Sequence, residues 1–413
     1  MKANGATFLT AVTLLVAMCA SGALAATDYK VLYNFNDWNG GGFGPEASLV
    51  FDSHGNLYST TTAGGDACLP TGCGVVFELT PNLDGSWSES VLHSFDRNDG
   101  SQPHSAVVFD RRGNLYGATV NDGSGGNGTV FELTPGNNGA WTEFVVHSFA
   151  GDPDGAQPYA GVTLDNAGHL YGTTSAGGAD SYGVVFAMGG PGIPGPTVLH
   201  SFAGGSDGEQ SFGSLVSDAS GNLYGVTWAG GAYQAGTVFE MTRNPVTGTW
   251  SETVLYQFRG MPADGANPYA GMIFDAAGNL YGTTYAGGAS GLGSVFKLTP
   301  NPDGSWSETV LHSFAGGNDG GNPYGGVTVD SFGNLYGTTN AGGAGRHGTI
   351  FKMTPTPSGQ WLETVLYGFT GGADGGWPGA GVTVDNAGNL YGTAVMGGTG
   401  GPEQGGVVFE LTP

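Results

Sequence analysis

Asp330-Ser331-Phe332-Gly333-Asn334-Leu335-Tyr336-Gly337-Thr338-Thr339 is the stretch that decides the architecture. Its Gly-Asn-Leu-Tyr core ends at Tyr58, Tyr116, Tyr171, Tyr224, Tyr281, Tyr336 and Tyr391, with His169 in place of the asparagine once. The spacings are 58, 55, 53, 57, 55 and 55 residues. A steady period of this length marks a repeat architecture. A residue present in every repeat serves the scaffold, so function is sought where the repeats differ.

Around this core each repeat carries four segments of strand character. In the sixth they are Glu308–Phe314, Gly326–Asp330, Asn334–Thr339 and Thr349–Pro355, separated by Gly/Asp-rich loops. All four are rich in β-branched and apolar residues, and none has a helical period. Four strands repeated seven times predict an all-β, seven-bladed β-propeller of four-stranded antiparallel blades. An open β-solenoid is the alternative, but its coils are shorter and need caps. The chain order also predicts how the ring closes. Tyr29–Phe35 matches the Glu308–Phe314 segment, and Val407–Pro413 matches the strand before it. The first strand therefore pairs with the last and removes two exposed edges. Gly-Val-Thr-Val-Asp is expected innermost and Glu-Thr-Val-Leu-His-Ser-Phe outermost.

The turns have local reasons. Asp52, Asp110, Asp165, Asp218, Asp275, Asp330 and Asp385 end the inner strands, where a carboxylate accepts from the N–H groups of the next turn. A functional ring of seven carboxylates is the weaker reading. Trp87, Trp141, Trp250, Trp306 and Trp361 follow the outer hairpin turns and are expected to cover the blade rims.

The combination Asp-x-x-Gly-Asn-Leu-Tyr-Gly-Thr-Thr, Ala-Gly-Gly, Gly-Thr-Val-Phe-Glu-Leu-Thr-Pro and Trp-x-Glu-Thr-Val-Leu-His-Ser-Phe resembles the GloVer tandem repeat of exported bacterial proteins. The resemblance covers almost all of residues 27–413. It implies export and a repeat fold, and brings no assigned activity or catalytic residues. Relatives often carry a C-terminal anchoring signal. This chain stops at Pro413 inside the repeat, so anchoring of that type is not expected.

Composition narrows the classes further. Residues 1–25 read as a secretory signal peptide: Lys2, the apolar run Phe8 to Met18, then Ala23-Leu24-Ala25. Met18 before Cys19 disfavours lipidation. Residues 26–413 are expected to form one propeller domain, secreted, periplasmic or at the cell surface. A formal charge of −24 argues against nucleic acid and anionic lipid. No later segment has the roughly 20 apolar residues of a membrane span. Glycine (81) and proline (21) sit at fixed places between strands and so read as turn residues rather than disorder. Cys68 and Cys73 share one loop and are expected to form a disulfide.

No nucleophile elbow, zinc signature or phosphate loop is present. The Asp-Gly pairs at Asp99, Asp154, Asp207, Asp264, Asp319 and Asp374 and the Ala-Gly-Gly loops should emerge on one face of the ring. Asp152-Pro153-Asp154-Gly155 matches only the start of a calcium loop, so calcium is weakly indicated and no other cofactor is. His93, His147, His200 and His312 share one outer-strand position and read as scaffold.

Variation is sharper at the residue just before the inner strand: Glu46, His104, Tyr159, Phe212, Tyr269, Tyr324 and Gly379. These should surround the channel mouth, where aromatic faces can stack on a glycan or grip an extracellular protein. Packing of the aromatics between blades is the competing reading. A non-catalytic binding or scaffolding propeller fits near-identical repeats best. A polysaccharide hydrolase or lyase using Glu46, Glu209 or Glu403 is the alternative.

Overall fold

A computed structural model describes residues 27–35, 40–137, 139–189, 195–262, 264–399 and 405–413. The segment read as a signal peptide and Glu403 lie outside them. Seven four-stranded antiparallel sheets form the ring. The sixth blade runs outward from Thr328–Val329 through Leu335–Thr339 and Thr349–Pro355 to Trp361–Gly368. The seventh takes Thr383–Val384, Leu390–Ala394 and Val407–Thr412 from one end of the chain and Asp28–Asn34 from the other. Tyr29 lies opposite Leu411 and Asn34 opposite Val407, so the ring closes as the repeat order predicts.

The repeated residues are explained by the blade itself. Asp330 Oδ1 accepts from the N–H groups of Phe332 and Asn334, and Oδ2 from Asn334 Nδ2 and the Tyr336 hydroxyl. The same carboxylate turn ends the inner strand of all seven blades. The seven aspartates are therefore occupied by their own turns, which removes the carboxylate-ring reading. Gly337 follows because the Phe351 ring lies over it: a Cβ there would sit 2.6 Å from Phe351 Cζ.

The core lies in the seams between blades. Each seam holds one pair of buried phenylalanines, one following an outer strand and one on the third strand of the next blade. Phe95–Phe131 and Phe314–Phe351 are examples, and the seven centroid separations run from 5.0 to 5.4 Å. The rim tryptophans cover the same seams, Trp141 against Tyr58 and Trp306 against Tyr224 of the preceding blade. Every outer strand also carries a register shift against the third strand, as between Val295 and Phe296. A period-two reading of sequence does not foresee such bulges. Cys68 and Cys73 are disulfide-bonded, with Cα atoms 5.5 Å apart.

Candidate functional site

The loop after each outer strand and the loop after the next second strand meet on one face. They pair there through short ladders such as Gly42–Phe43 with Ala63–Gly64 and Gly321 with Ala341. The Asp-Gly loops are committed locally. Asp99, Asp154, Asp207 and Asp319 are bonded to His93, His147, His200 and His312, while Tyr256 and Tyr367 hold Asp264 and Asp374.

From this face each chain segment turns inward through a left-handed residue. These are Gly44, Gln102, Gln157, Gln210, Asn267, Asn322 and Trp377, with φ between 54° and 69°. Proline follows in six blades and Ser211 in one. The next residue is the variable one. Glu46, His104, Tyr159, Phe212, Tyr269, Tyr324 and Gly379 all line a single cavity of about 580 Å³ at the channel mouth.

The six side chains form an unbroken crescent. His104 Nδ1 lies 2.7 Å from Glu46 Oε2. The His104 and Tyr159 ring centroids are 5.1 Å apart, and those of Tyr159 and Phe212 5.2 Å. Phe212 and Tyr269 stack at 5.0 Å, and Tyr269 meets Tyr324 at 4.6 Å. Neighbouring rings pack on each other across blades, as the packing reading expects, and all remain partly exposed to the cavity. Burial pushes the phenols of Tyr159, Tyr269 and Tyr324 up, so they stay neutral hydroxyls across the physiological range. Behind the cavity, small residues such as Ala47, Ser48, Ala160 and Gly213 form the throat.

Three groups of residues escaped the sequence reading. Trp228 packs edge-on against Phe212 and Tyr269, and Tyr285 packs against Tyr324, forming a second aromatic layer. Asn340 and Val395 line the cavity from the equivalent position of later blades. That position, directly after the second strand, also varies: Thr62, Val120, Ser175, Trp228, Tyr285, Asn340 and Val395. The same rule of variation amid repetition would have found it. Trp377 stands at the gap left by Gly379 and is 46% exposed.

Among the described residues no pair of carboxylates lines the cavity. Glu46 is the only carboxylate lining it among the described residues. Glu209 lies away from it, bridged to Ala229 in the loop ladder. Ser105, next to His104 in sequence, has a buried hydroxyl with no hydrogen-bond partner, so it is not coupled to the imidazole as a nucleophile.

Fold and site define a seven-bladed propeller with a ligand-sized opening at the channel mouth. The chain belongs to the Gloeobacter/Verrucomicrobia repeat family, whose pattern matches residues 21–140, 69–273 and 195–409. No curated protein matches it. Among solved structures it is similar to a Thermus thermophilus protein described as a candidate oxidoreductase (glucose dehydrogenase). The identity is 16% and the TM-score 0.43, over 94% of this chain and 100% of that one. A Dyadobacter fermentans protein of unknown function is similar at 10% identity and TM-score 0.43, over 82% of this chain and 97% of that one. Neither likeness bears on function. Among the described residues no helix is long and apolar enough to cross a membrane.

Proposed function

We propose that this is an exported, non-catalytic binding propeller that recognises a glycan at the channel mouth. The observation that carries the reading is the crescent of Glu46, His104, Tyr159, Phe212, Tyr269 and Tyr324 around one cavity. Rings partly open to the cavity offer CH–π stacking to a sugar face, and neutral phenols with the His104–Glu46 pair offer hydrogen bonds. A single carboxylate speaks against glycoside hydrolysis, which takes two flanking the scissile bond. Export is supported by the N-terminal apolar segment and by the Cys68–Cys73 bond.

The test is a glycan array probed with the purified protein, followed by calorimetry on the best hit. Replacing Tyr269 and Tyr324 together with alanine is expected to weaken binding at least about tenfold, roughly 1.4 kcal/mol. Because stacking is weakly screened, affinity should change little with added salt. Binding that is unaltered in a folded double variant would reject the site. Turnover of the bound glycan would reject the non-catalytic reading. An array with no hit, together with capture of an extracellular protein that the double variant loses, would move the ligand class from glycan to protein.

A further inference from the structure

Away from the channel, the outer rim carries one constellation three times. His93 and Asp99 of the first blade meet Glu143 of the second. His200 and Asp207 of the third meet Glu252 of the fourth. His312 and Asp319 of the fifth meet Glu363 of the sixth. In each group the donor atoms lie within 4.8 Å of one another. The imidazole Nε2 is already 2.9 to 3.1 Å from an aspartate oxygen. That is about the spacing of two donors on one ion with bonds of about 2.0–2.2 Å.

A second observation is independent of this proximity. Oε1 of Glu143, Glu252 and Glu363 is buried and has no hydrogen-bond partner among the described residues; Oε1 of Glu308, in a seam without the histidine, is buried in the same way, so the orphaned oxygen completes a donor set only where the imidazole is present. A carboxylate oxygen withdrawn from water without a partner is unfavourable unless a proton or a cation compensates it.

The remaining seams show what an incomplete set looks like. Between the second and third blades, His147 and Asp154 are present but Pro196 stands where the glutamate would be. Between the fourth and fifth, Glu308 is present but Tyr256 replaces the histidine and donates to Asp264 at 2.5 Å. Between the sixth and seventh, Tyr367 and Tyr29 replace both, and between the seventh and first, Tyr33 replaces the histidine and donates to Glu89 Oε2 at 2.8 Å. Tyrosine at the histidine position shows that a hydrogen-bond donor to the aspartate is enough to hold the loop. The three complete seams add to that loop closure a set of one imidazole and two carboxylates.

We propose that the three complete seams each bind one divalent first-row transition-metal ion, of the zinc or manganese class, and so tie neighbouring blades together. One imidazole nitrogen with two carboxylates suits such ions better than calcium, which takes six to eight oxygens. Both residues of each His–Asp pair remain about one-fifth exposed, so an ion can enter from solvent.

The experiment uses the untagged protein stripped with EDTA and titrated separately with Zn²⁺ and Mn²⁺ by calorimetry. Bound metal is counted by mass spectrometry after dialysis, and thermal midpoints are recorded with and without ion. Three ions per chain and a raised midpoint are expected. Glu143→Gln, Glu252→Gln and Glu363→Gln should each remove one ion, and the triple variant all three. Glu308→Gln should still bind three. No uptake by the wild-type chain at micromolar free ion overturns the proposal, and that measurement needs no variant to fold. Uptake that survives the triple substitution, or falls with Glu308→Gln, overturns it as well.

Discussion

The ring of Tyr29 lies flat on the ring of Tyr367, with centroids 4.0 Å apart and planes 9° from parallel, and its hydroxyl donates to the Asp374 carbonyl. Tyr29 belongs to the strand that completes the seventh blade, and Tyr367 to the outer strand of the sixth. The stack therefore locks the closing strand sideways onto its neighbour, while the ladder to Val407–Thr412 holds it edge-on.

Tyr29→Ala is expected to destabilise the protein by about 2–3 kcal/mol, since it removes a largely buried ring and a stacked pair. Tyr29→Phe keeps the stack and loses one hydrogen bond, about 1 kcal/mol. Guanidinium unfolding of both variants checks the order. Equal stability of Tyr29→Ala and the wild type would show that this seam does not limit ring closure.

The carboxylate turn makes a second expectation. Asp218 accepts from the N–H groups of Ser220 and Asn222 and from Asn222 Nδ2, while the Tyr224 hydroxyl donates to Glu240. Asp218→Ala strands these donors and should cost about 1–3 kcal/mol. Asp218→Asn should fall between, because an amide accepts the backbone bonds but turns its NH₂ toward another donor. Denaturation midpoints decide the ranking.

Stability should depend on pH in an unusual direction. Burial, aided by the neighbouring Asp207, Asp264 and Asp319, pushes Glu252, Glu308 and Glu363 up to about 7. Burial does the same to Glu143, which Asp99 and Asp96 push up and His93 pulls down. Unfolded, these carboxyls return to their ordinary 4.5. Unfolding thus releases protons between the two values, so their contribution to stability is lost as pH rises through about 7. The turn aspartates act oppositely. Burial works to raise Asp330, but hydrogen bonds from the Asn334 side chain and backbone outweigh it and hold the carboxyl below 3.8, as at Asp52, Asp165 and Asp275. Their contribution is lost as pH falls through those depressed values. In chelated protein the thermal midpoint should therefore rise from pH 8 to about 5 and fall again in strong acid. Changing the four glutamates to glutamine should flatten the alkaline limb. A wild-type midpoint that is constant from pH 5 to 8 would contradict the assignment.

Trp377 sits at φ 55°, where the other blades carry glutamine, asparagine or glycine. A bulky side chain is costly in that conformation, by about 1–3 kcal/mol. In the fifth and sixth blades the equivalent Asn267 and Asn322 donate to the Trp228 and Tyr285 carbonyls. Trp377→Asn can make the matching bond to the Asn340 carbonyl and should raise the thermal midpoint. If the ring serves the cavity it overhangs, the same change should weaken ligand binding severalfold. Gain of stability with full binding would assign Trp377 no role at the mouth.

The candidate site was half legible in the chain. Glu46, His104, Tyr159, Phe212, Tyr269 and Tyr324 were found because one position varied while its neighbours repeated. Trp228 and Tyr285 vary in the same way but lie after a different strand. Only the loop ladder on one face shows that both positions meet. The rim glutamates were invisible as chemistry, since Glu143 is distant in sequence from His93 and Asp99 and joins them only across a seam.

By itself the sequence determined the number of blades, the order of strands, the carboxylate turns and the pairing of the chain ends. Those features rest on local periodicity, turn chemistry and the matching of two end segments to one repeat, and all three are written along the chain. Tertiary structure alone decided which side chains share an environment. Seven blades bent into a ring bring residues about 55 positions apart into contact, place the seven variable residues around one opening, and bury glutamate oxygens between outer strands. Desolvation and stacking depend on that proximity, and no single repeat contains it.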